Sequence, residues 1–389
     1  MEGDFIKVNK SLLPLSWLYG LGVRLRNLCF EMGILSSRDF DVPVIAVGNI
    51  TVGGTGKTPH VEYLIRLLKD KFRVAVLSRG YKRSTSGYLL ASESSTEHEI
   101  GDEPYQMKQK YPDISVAVDP KRTRGIQQLT DNDQMLDVIL LDDAFQHRYV
   151  KPGINILLVD YHRLIIYDKL LPAGRLREPE SSKSRADIVI VTKCPKQLKP
   201  MEYRVLTKAM NLYPYQQLFF TTLQYDNPYP IFIQPRESQQ LSQLVQPDTN
   251  VLLLTGIASP LQMQQDLTAY TSRLTPLTFS DHHNFQPKDV RLINKTFDEM
   301  PSPKCIITTE KDATRIHNLQ GLSDEVRQHI YALPVRISFI RMEQEEKFNE
   351  NIIGYVRKNS RNSILAKRKD DHKSKDGNHT GNGTGAISF

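Results

Sequence analysis

Three cysteines in 389 residues, Cys29, Cys194 and Cys305, lie far apart with no CxxC pair among them. That usage excludes a disulfide framework and a cysteine zinc site, and it fits a reducing compartment. No run approaches the roughly 18 apolar residues that a spanning helix needs. Glu2 and Asp4 stand where a signal peptide would be positive, and no internal repeat is apparent. A charge excess is also nearly absent from the body of the chain. Of the net +7, +5 falls after Tyr355, where eight Lys/Arg face three Asp. This polar, aperiodic tail, residues 355–389, is expected to be disordered, and composition leaves open whether it touches anionic lipid or nucleic acid or is merely solvated. At 39% hydrophobic and 24% charged, the whole chain is ordinary for a globular protein and long enough for two cores.

What the chain does contain is concentrated at residues 42–59, VPVIAVGNITVGGTGKTP. A short β-branched strand runs into a glycine-rich loop closing on Lys57 and Thr58. Gly53, Gly54 and Gly56 allow backbone N–H groups to converge on phosphate oxygens. Lys57 brings a charge toward the β/γ-phosphates, the Thr58 hydroxyl can ligate Mg²⁺, and a helix beginning here aims its positive end at the anion. Thr51 stands where the strict G-x-x-x-x-G-K-[ST] pattern has its first glycine, so this is a variant phosphate loop, bracketed by Gly48 and Gly53. Thr51, Val52, Gly53, Gly54, Thr55, Gly56, Lys57 and Thr58 are the candidate ATP-phosphate contacts.

Around this loop the pattern is α/β. Apolar positions Val61, Leu64, Ile65 and Leu68 give a helical face, and near-continuous apolar strands follow at 72–78, 114–118, 137–143, 154–160 and 186–193. Such strands, separated by helical stretches, imply a mostly parallel sheet covered on both faces, with ligands beyond the strands' carboxyl ends. A Pro- and Gln-rich stretch, 226–249, reads as a linker. A smaller α/β region follows over 250–354, with strands at 251–255 and 304–309, so the core domain is 37–225. Ahead of it, in the 1–36 region, Leu18, Leu21, Leu25, Leu28, Met32 and Leu35 fall on one helical face, with Arg24 and Arg26 off it. That helix could lie in a membrane interface or pack on the core, and spacing alone does not separate the two.

Several polar clusters sit at strand ends. Asp142 and Asp143 close an apolar strand about 85 residues after the loop, where a carboxylate can hold Mg²⁺ beside Thr58. Asp102, in GDEP, either caps the helix that follows or takes a proton from an acceptor hydroxyl. Arg177, on the proline-bounded loop 170–179, could stabilise charge on a transferring group. Adjacent His282 and His283 on an extended segment would point to opposite faces and make a poor chelating pair, so a single His282 supporting a carboxylate is the better chemistry.

Taken together, PLSWLYG (14–20), VGNITVGGTGKTP (47–59), SRGYKR (78–83), GDEP (101–104), DDAFQHR (142–148), LPAGRLREP (171–179), DHHNF (281–285) and TEKDA (309–313) resemble the tetraacyldisaccharide 4′-kinase family of the lipid A pathway. The resemblance implies a P-loop NTPase-like kinase core with a second, smaller α/β domain. It further implies transfer of the ATP γ-phosphate to the 4′-hydroxyl of an acylated glucosamine disaccharide 1-phosphate, giving lipid IVA. The setting would be the cytoplasmic face of a Gram-negative inner membrane, with the N-terminal helix as a peripheral docking element. By the same resemblance Asp142 and Asp143 serve Mg²⁺, and Asp102, paired with His282, acts on the acceptor hydroxyl. Arg79, Arg122, His147, Arg177 and Glu178 become substrate or phosphate candidates. A monomer with no nucleic-acid partner is expected. A deviant-loop, membrane-associated regulatory ATPase is the rival reading, and an adaptor working through the basic tail is another. Ala144 and Arg175 depart from the family's DDGFQH and LPAGPLRE, the first mildly unless its backbone needs φ > 0.

Overall fold

The computed structural model describes residues 8–233, 237–258, 260–281 and 283–360. Its strands in chain order are β1 Val44–Gly48, β2 Val74–Ser78, β3 Leu89–Leu90, β4 Ser115–Val118, β5 Val138–Asp142, β6 Ile154–Asp160, β7 Ile188–Thr192 and β8 Gln217–Tyr225. Then come β9 Tyr229–Pro230, β10 Asn250–Thr255, β11 Leu274–Thr278, β12 Lys304–Thr309, β13 Ile330–Leu333 and β14 Val335–Phe339. Among the described residues they form a nine-stranded sheet, β14-β8-β7-β6-β1-β5-β2-β4-β3, and a five-stranded sheet, β11-β10-β12-β13-β9. Pairing is parallel except at β3, β9 and β14, which join their neighbours antiparallel.

The large sheet is covered on both faces because its central strands β1, β2, β5 and β7 are buried throughout and apolar up to their last residue. Ile45 and Val47 of β1 pack with Val61, Leu64, Ile65 and Leu68 of the helix Lys57–Leu68, while Val44 and Ala46 pack with Ile126 and Leu129 of the helix Arg122–Asn132. In the small sheet, Leu252 and Leu254 of β10 meet Ile293 and Phe297 of the helix Pro287–Asp298. Val251 and Leu253 face the opposite cluster.

Two boundaries differ from those drawn on composition. The stretch 226–249, expected as a linker, supplies β9 and buries Ile231, Leu241 and Val245 in the small lobe's cores. Its proline and glutamine content hides a few apolar anchors. At the other end, β14 and the helix Met342–Asn359 return to the large sheet, where Phe348, Ile352 and Val356 join its core. Those residues recur at helical spacing, and the polar tail begins after that helix; from residue 361 onward it lies outside the described residues.

The N-terminal helix, Leu13–Glu31, turns Ser16, Gly20, Asn27 and Phe30 inward. Ser16 Oγ donates to Leu170 O (3.0 Å) and accepts from Ala173 N (2.9 Å), and Arg148 reaches Asn27 O at 3.1 Å. Gly20 sits so close to Leu170 that a Cβ there would lie 2.7 Å from Cδ1. The apolar stripe faces outward: Trp17 is 76% exposed, Leu18 68%, Leu21 64%, Leu25 60% and Met32 66%. Of the two arginines set off that stripe, Arg24 is exposed, but Arg26 turns inward to Gln146 O and Glu178.

Candidate active site

β1 ends at Gly48, which must be glycine, since a Cβ there would stand 2.7 Å from Phe145 N. The loop then passes Gly53 and Gly56, both at positive φ (115° and 79°), and Gly56 caps the helix that begins at Lys57. Its outer edge is stitched to the 170–177 loop: Val52 N donates to Arg175 O at 2.8 Å and Arg177 N to Ile50 O at 2.7 Å. Inside, Asn49 Nδ2 donates to Thr55 Oγ1 at 2.8 Å, and both side chains are buried. Thr58 lies in the first turn of the helix, where unpaired N–H groups and the helix dipole favour an anion.

The parallel register of β1 and β5 sets Val47 opposite Asp142 and so brings the carboxylate pair beside the loop. Asp142 is fully buried; Ser78 Oγ donates to its Oδ2 at 3.3 Å and its Oδ1 has no partner. Burial, then the Glu103 and Asp143 charges, push its carboxyl well above the usual range. Asp143 adopts left-handed φ 48°; its Oδ1 stands 3.6 Å from Lys57 Nζ and its Oδ2 3.7 Å from Arg177 Nη1. A non-glycine residue at such φ costs about 1–3 kcal/mol and persists where surroundings over-determine it. The positive φ falls on Asp143 and not on Ala144, so the alanine in place of glycine is tolerated. Asp142 Oδ1 and Asp143 Oδ1 accept no hydrogen bond, and two such carboxylate oxygens side by side suit a hard divalent cation. No cluster of three or more such ligands occurs among the described residues, so phosphate oxygens and water must complete it.

Asp102 does not cap its helix: Gly101, at φ 91°, occupies the cap, and Asp102 is the first residue of the helix Asp102–Lys110. Its Oδ2 accepts from both Nε (3.0 Å) and Nη2 of Arg315, on the helix Glu310–His317 of the small lobe. Two further contacts run along the same seam. Lys311 lies 3.4 Å from Glu103 and 3.5 Å from Asp281, and Lys110 bridges Glu62 and Glu310 at 2.8 Å each.

The remaining candidates separate into near and far. Arg177 joins the site through Asp143. Arg122 is buried behind it, donating to Asp119 O and Asp142 O, and burial pulls its guanidinium down to about 10. Burial and then the charges of Arg122, Arg26 and Arg79 pull His147 down to about 4, which leaves it neutral at pH 7. Arg79 is exposed. Glu178 turns away: 2% exposed, it pairs with Arg185 at 2.6 Å and stands 3.9 Å from Arg26, which makes it an anchor for the loop. His282 lies outside the described residues. His283 stacks on Phe279 and meets Asp289 Oδ2 at 2.9 Å, so it serves its own lobe. Two neighbours of the site went unread in the sequence. Glu103 stood visible beside Asp102 in GDEP, whereas Arg315, three residues beyond Asp312 of TEKDA, left no local signal.

A phosphate loop closing a parallel strand, a carboxylate pair on the adjacent strand, and a polar seam to a second lobe define a P-loop NTPase-like, ATP-dependent kinase. The sequence profile of the tetraacyldisaccharide-1-P 4′-kinase family matches residues 8–357, and the chain belongs to that family. The tetraacyldisaccharide 4′-kinase of Phocaeicola vulgatus is 57% identical over 366 residues, covering 93% of this chain and 99% of the relative. That of Bacteroides thetaiotaomicron is 51% identical, covering 96% and 100%. A crystal structure of the "apo" form of LpxK from Aquifex aeolicus in complex with ATP matches with a TM-score of 0.66 at 30% identity, covering 88% of this chain and 99% of that one.

Proposed function

We propose that this chain transfers the γ-phosphate of ATP to the 4′-hydroxyl of a tetraacylated glucosamine disaccharide 1-phosphate, a step of lipid A assembly, while docked on the cytoplasmic face of the inner membrane. The observation that carries the reading is the position of Asp102. It opens a separate helix whose next residue, Glu103, lies near enough for its charge to act on Asp142, and it is gripped by Arg315 of the small lobe. A switch ATPase has no need of such a cross-lobe carboxylate.

In the transfer, the 4′-oxygen forms a bond to the γ-phosphorus as the bond to the ADP oxygen breaks, and the hydroxyl proton passes to Asp102. His282 orients that carboxylate. Lys57, Arg177 and the N–H groups of residues 53–58 offset charge on the phosphates, which is where most of the rate in phosphoryl transfer arises. Thr58, Asp142 and Asp143 would hold Mg²⁺, which when bound neutralises charge across the β- and γ-phosphates. Arg79, Arg122 and His147 lie behind or beside this centre and shape its potential.

The N-terminal helix supports membrane docking. Left in water, five or six large apolar side chains forgo about 1.5–3 kcal/mol each, on the order of 10 kcal/mol in sum. No helix among the described residues is long and apolar enough to cross a membrane. This one instead rests on the 170–177 loop that edges the phosphate loop, so a lipid surface met by its outward stripe would lie beside the site, and exposed Arg24 would meet anionic headgroups.

The test is phosphate transfer to the lipid acceptor by wild type, Asp102→Asn and His282→Gln. Expected is a loss in kcat of about 10²-fold or more for Asp102→Asn, the size of a lost general base, with a smaller loss for His282→Gln. Undiminished kcat in Asp102→Asn would remove the base role, and unchanged turnover in His282→Gln would remove the small lobe's histidine from the chemistry.

A further inference from the structure

Three consecutive carbonyls of the phosphate loop are held by side chains. Gly54 O accepts from Lys193 Nζ, Thr55 O accepts from Thr192 Oγ1 at 3.0 Å, and Gly56 O lies 2.6 Å from His60 Nδ1. A carbonyl can only accept, so Nδ1 carries the proton. Nε2 of the neutral ring then accepts from the Thr221 hydroxyl at 3.1 Å. In a trans peptide the C=O and N–H point opposite ways, so drawing carbonyls into the protein turns the following N–H groups outward, toward a bound phosphate.

Two of these three holders are neutral; Lys193 is the one that packing does not explain. It is only 9% exposed, it follows β7 in left-handed φ 57°, and its ammonium is shared between Gly54 O and Asp160 Oδ2 at 2.8 Å. Burying a charge with its counter-ion is no economical way to satisfy one carbonyl. A strained backbone that aims the side chain back over a binding loop points to a positional task.

The sheet order says which end of the nucleotide Lys193 serves. β5, with Asp142 and Asp143, lies on one side of β1, whereas β6 and β7 lie on the other. Lys57 and Arg177 converge on Asp143, so the γ-phosphate end faces β5 and the nucleoside crosses toward β6 and β7. The small lobe closes over the same flank. Ala258 Cβ stands 3.7 Å from where a Gly54 Cβ would be, and His162, just past β6, meets Gln262 at 3.1 Å.

We infer that Lys193 is a positioning residue for ATP: clamped by Asp160, it fixes the Gly54 peptide so that the loop's N–H groups meet the phosphates on the nucleoside side. The inference rests on the reading that residues 51–58 hold the triphosphate. It acts on nucleotide binding and leaves the acceptor alone.

The test measures KM for ATP, KM for the lipid acceptor, kcat, and ATP affinity by calorimetry in Lys193→Met, Lys193→Arg, Thr192→Val and Asp160→Asn. A lost charged hydrogen bond predicts a rise of about ten-fold or more in KM and Kd for ATP in Lys193→Met. Its kcat should stay within about three-fold of wild type and its acceptor KM should not move, because the bond is equally present in the ground and transition states. Lys193→Arg should recover most of the affinity. Thr192→Val, which leaves no charge unpaired, should raise KM for ATP about three-fold, as a neutral hydrogen bond would, and Asp160→Asn should fall between. An unchanged ATP affinity in Lys193→Met and Thr192→Val would overturn the inference, as would a fall of kcat and melting temperature together with a rise of both KM values. Should Lys57→Ala bind ATP normally, the loop reading itself fails; should it lose ATP while Lys193→Met keeps it, only the role of Lys193 fails.

Discussion

Two helices flank the same phosphate loop and obey opposite rules. The helix Lys57–Leu68 turns Val61, Leu64, Ile65 and Leu68 into the core, all at most 1% exposed. The helix Leu13–Glu31 buries Ser16, Gly20, Asn27 and a single aromatic, Phe30, and leaves Trp17, Leu18, Leu21 and Leu25 in the open. Amphipathic spacing is present in both, so spacing tells that a face exists but not what covers it. For the first helix the cover is the large sheet, β1 with β5 and β14. For the second, no described residue covers the stripe, and a lipid surface fits its chemistry.

The sharpest way to break the comparison is to act on the loop end of the first helix. Lys57→Ala should lower phosphate transfer by about 10²–10³-fold, the size seen when a preorganised charge stabiliser is removed. Turnover assays in detergent and in vesicles should give the same loss. The counterpart is the outward face of the second helix. Replacing Leu18, Leu21 and Leu25 together by serine should weaken binding to anionic vesicles about 100-fold or more, since each leucine withdrawn from lipid forfeits roughly 1.5–3 kcal/mol. The melting temperature should hold or rise, because those side chains are already in water; a fall would mean that they pack on the protein.

Smaller effects follow from the buried sides. Leu64→Ala should cost about 2–5 kcal/mol in chemical denaturation, with no change in vesicle binding. Gly20→Val, whose Cβ meets Leu170 at 2.7 Å, should destabilise by about 1–3 kcal/mol, the usual range for overpacking. The smallest effect is a pH slope. His60 is pulled by burial to about 4 in the folded chain, below its ordinary 6.5. Unfolded chains therefore bind a proton first, and stability should fall as pH drops from 6.5 toward 4, by about 1.4 kcal/mol per unit at most. Denaturation of His60→Gln beside wild type over that range should show a shallower fall; parallel curves would mean that the histidine is not buried neutral.

How much could be read in advance followed from how local each signal is. β1, β5 and the loop that follows β1 were legible because apolar strands, glycines and a Lys-Thr pair all lie within short windows. The carboxylate pair was legible for the same reason. The Asp102–Arg315 contact was not, since it joins residues 213 apart through the packing of two helices from different lobes. Nor was the inward turn of Glu178, which the resemblance made a substrate or phosphate candidate while burial sent it to Arg185. The return of the helix Met342–Asn359 to the large sheet failed for a third reason. Its Phe348, Ile352 and Val356 sit among enough Glu, Asn and Lys that nothing local set the helix apart, and the smaller domain was drawn on to 354.

The most direct test follows label from γ-labelled ATP into tetraacyldisaccharide 1-phosphate presented in detergent and again in vesicles. Wild type, Lys57→Ala and the Leu18/Leu21/Leu25→Ser protein are compared. The account predicts labelled lipid from wild type in both, almost none from Lys57→Ala in either, and a loss confined to vesicles for the serine variant. Release of free phosphate without labelled lipid, or equal turnover of the serine variant on vesicles, would contradict it.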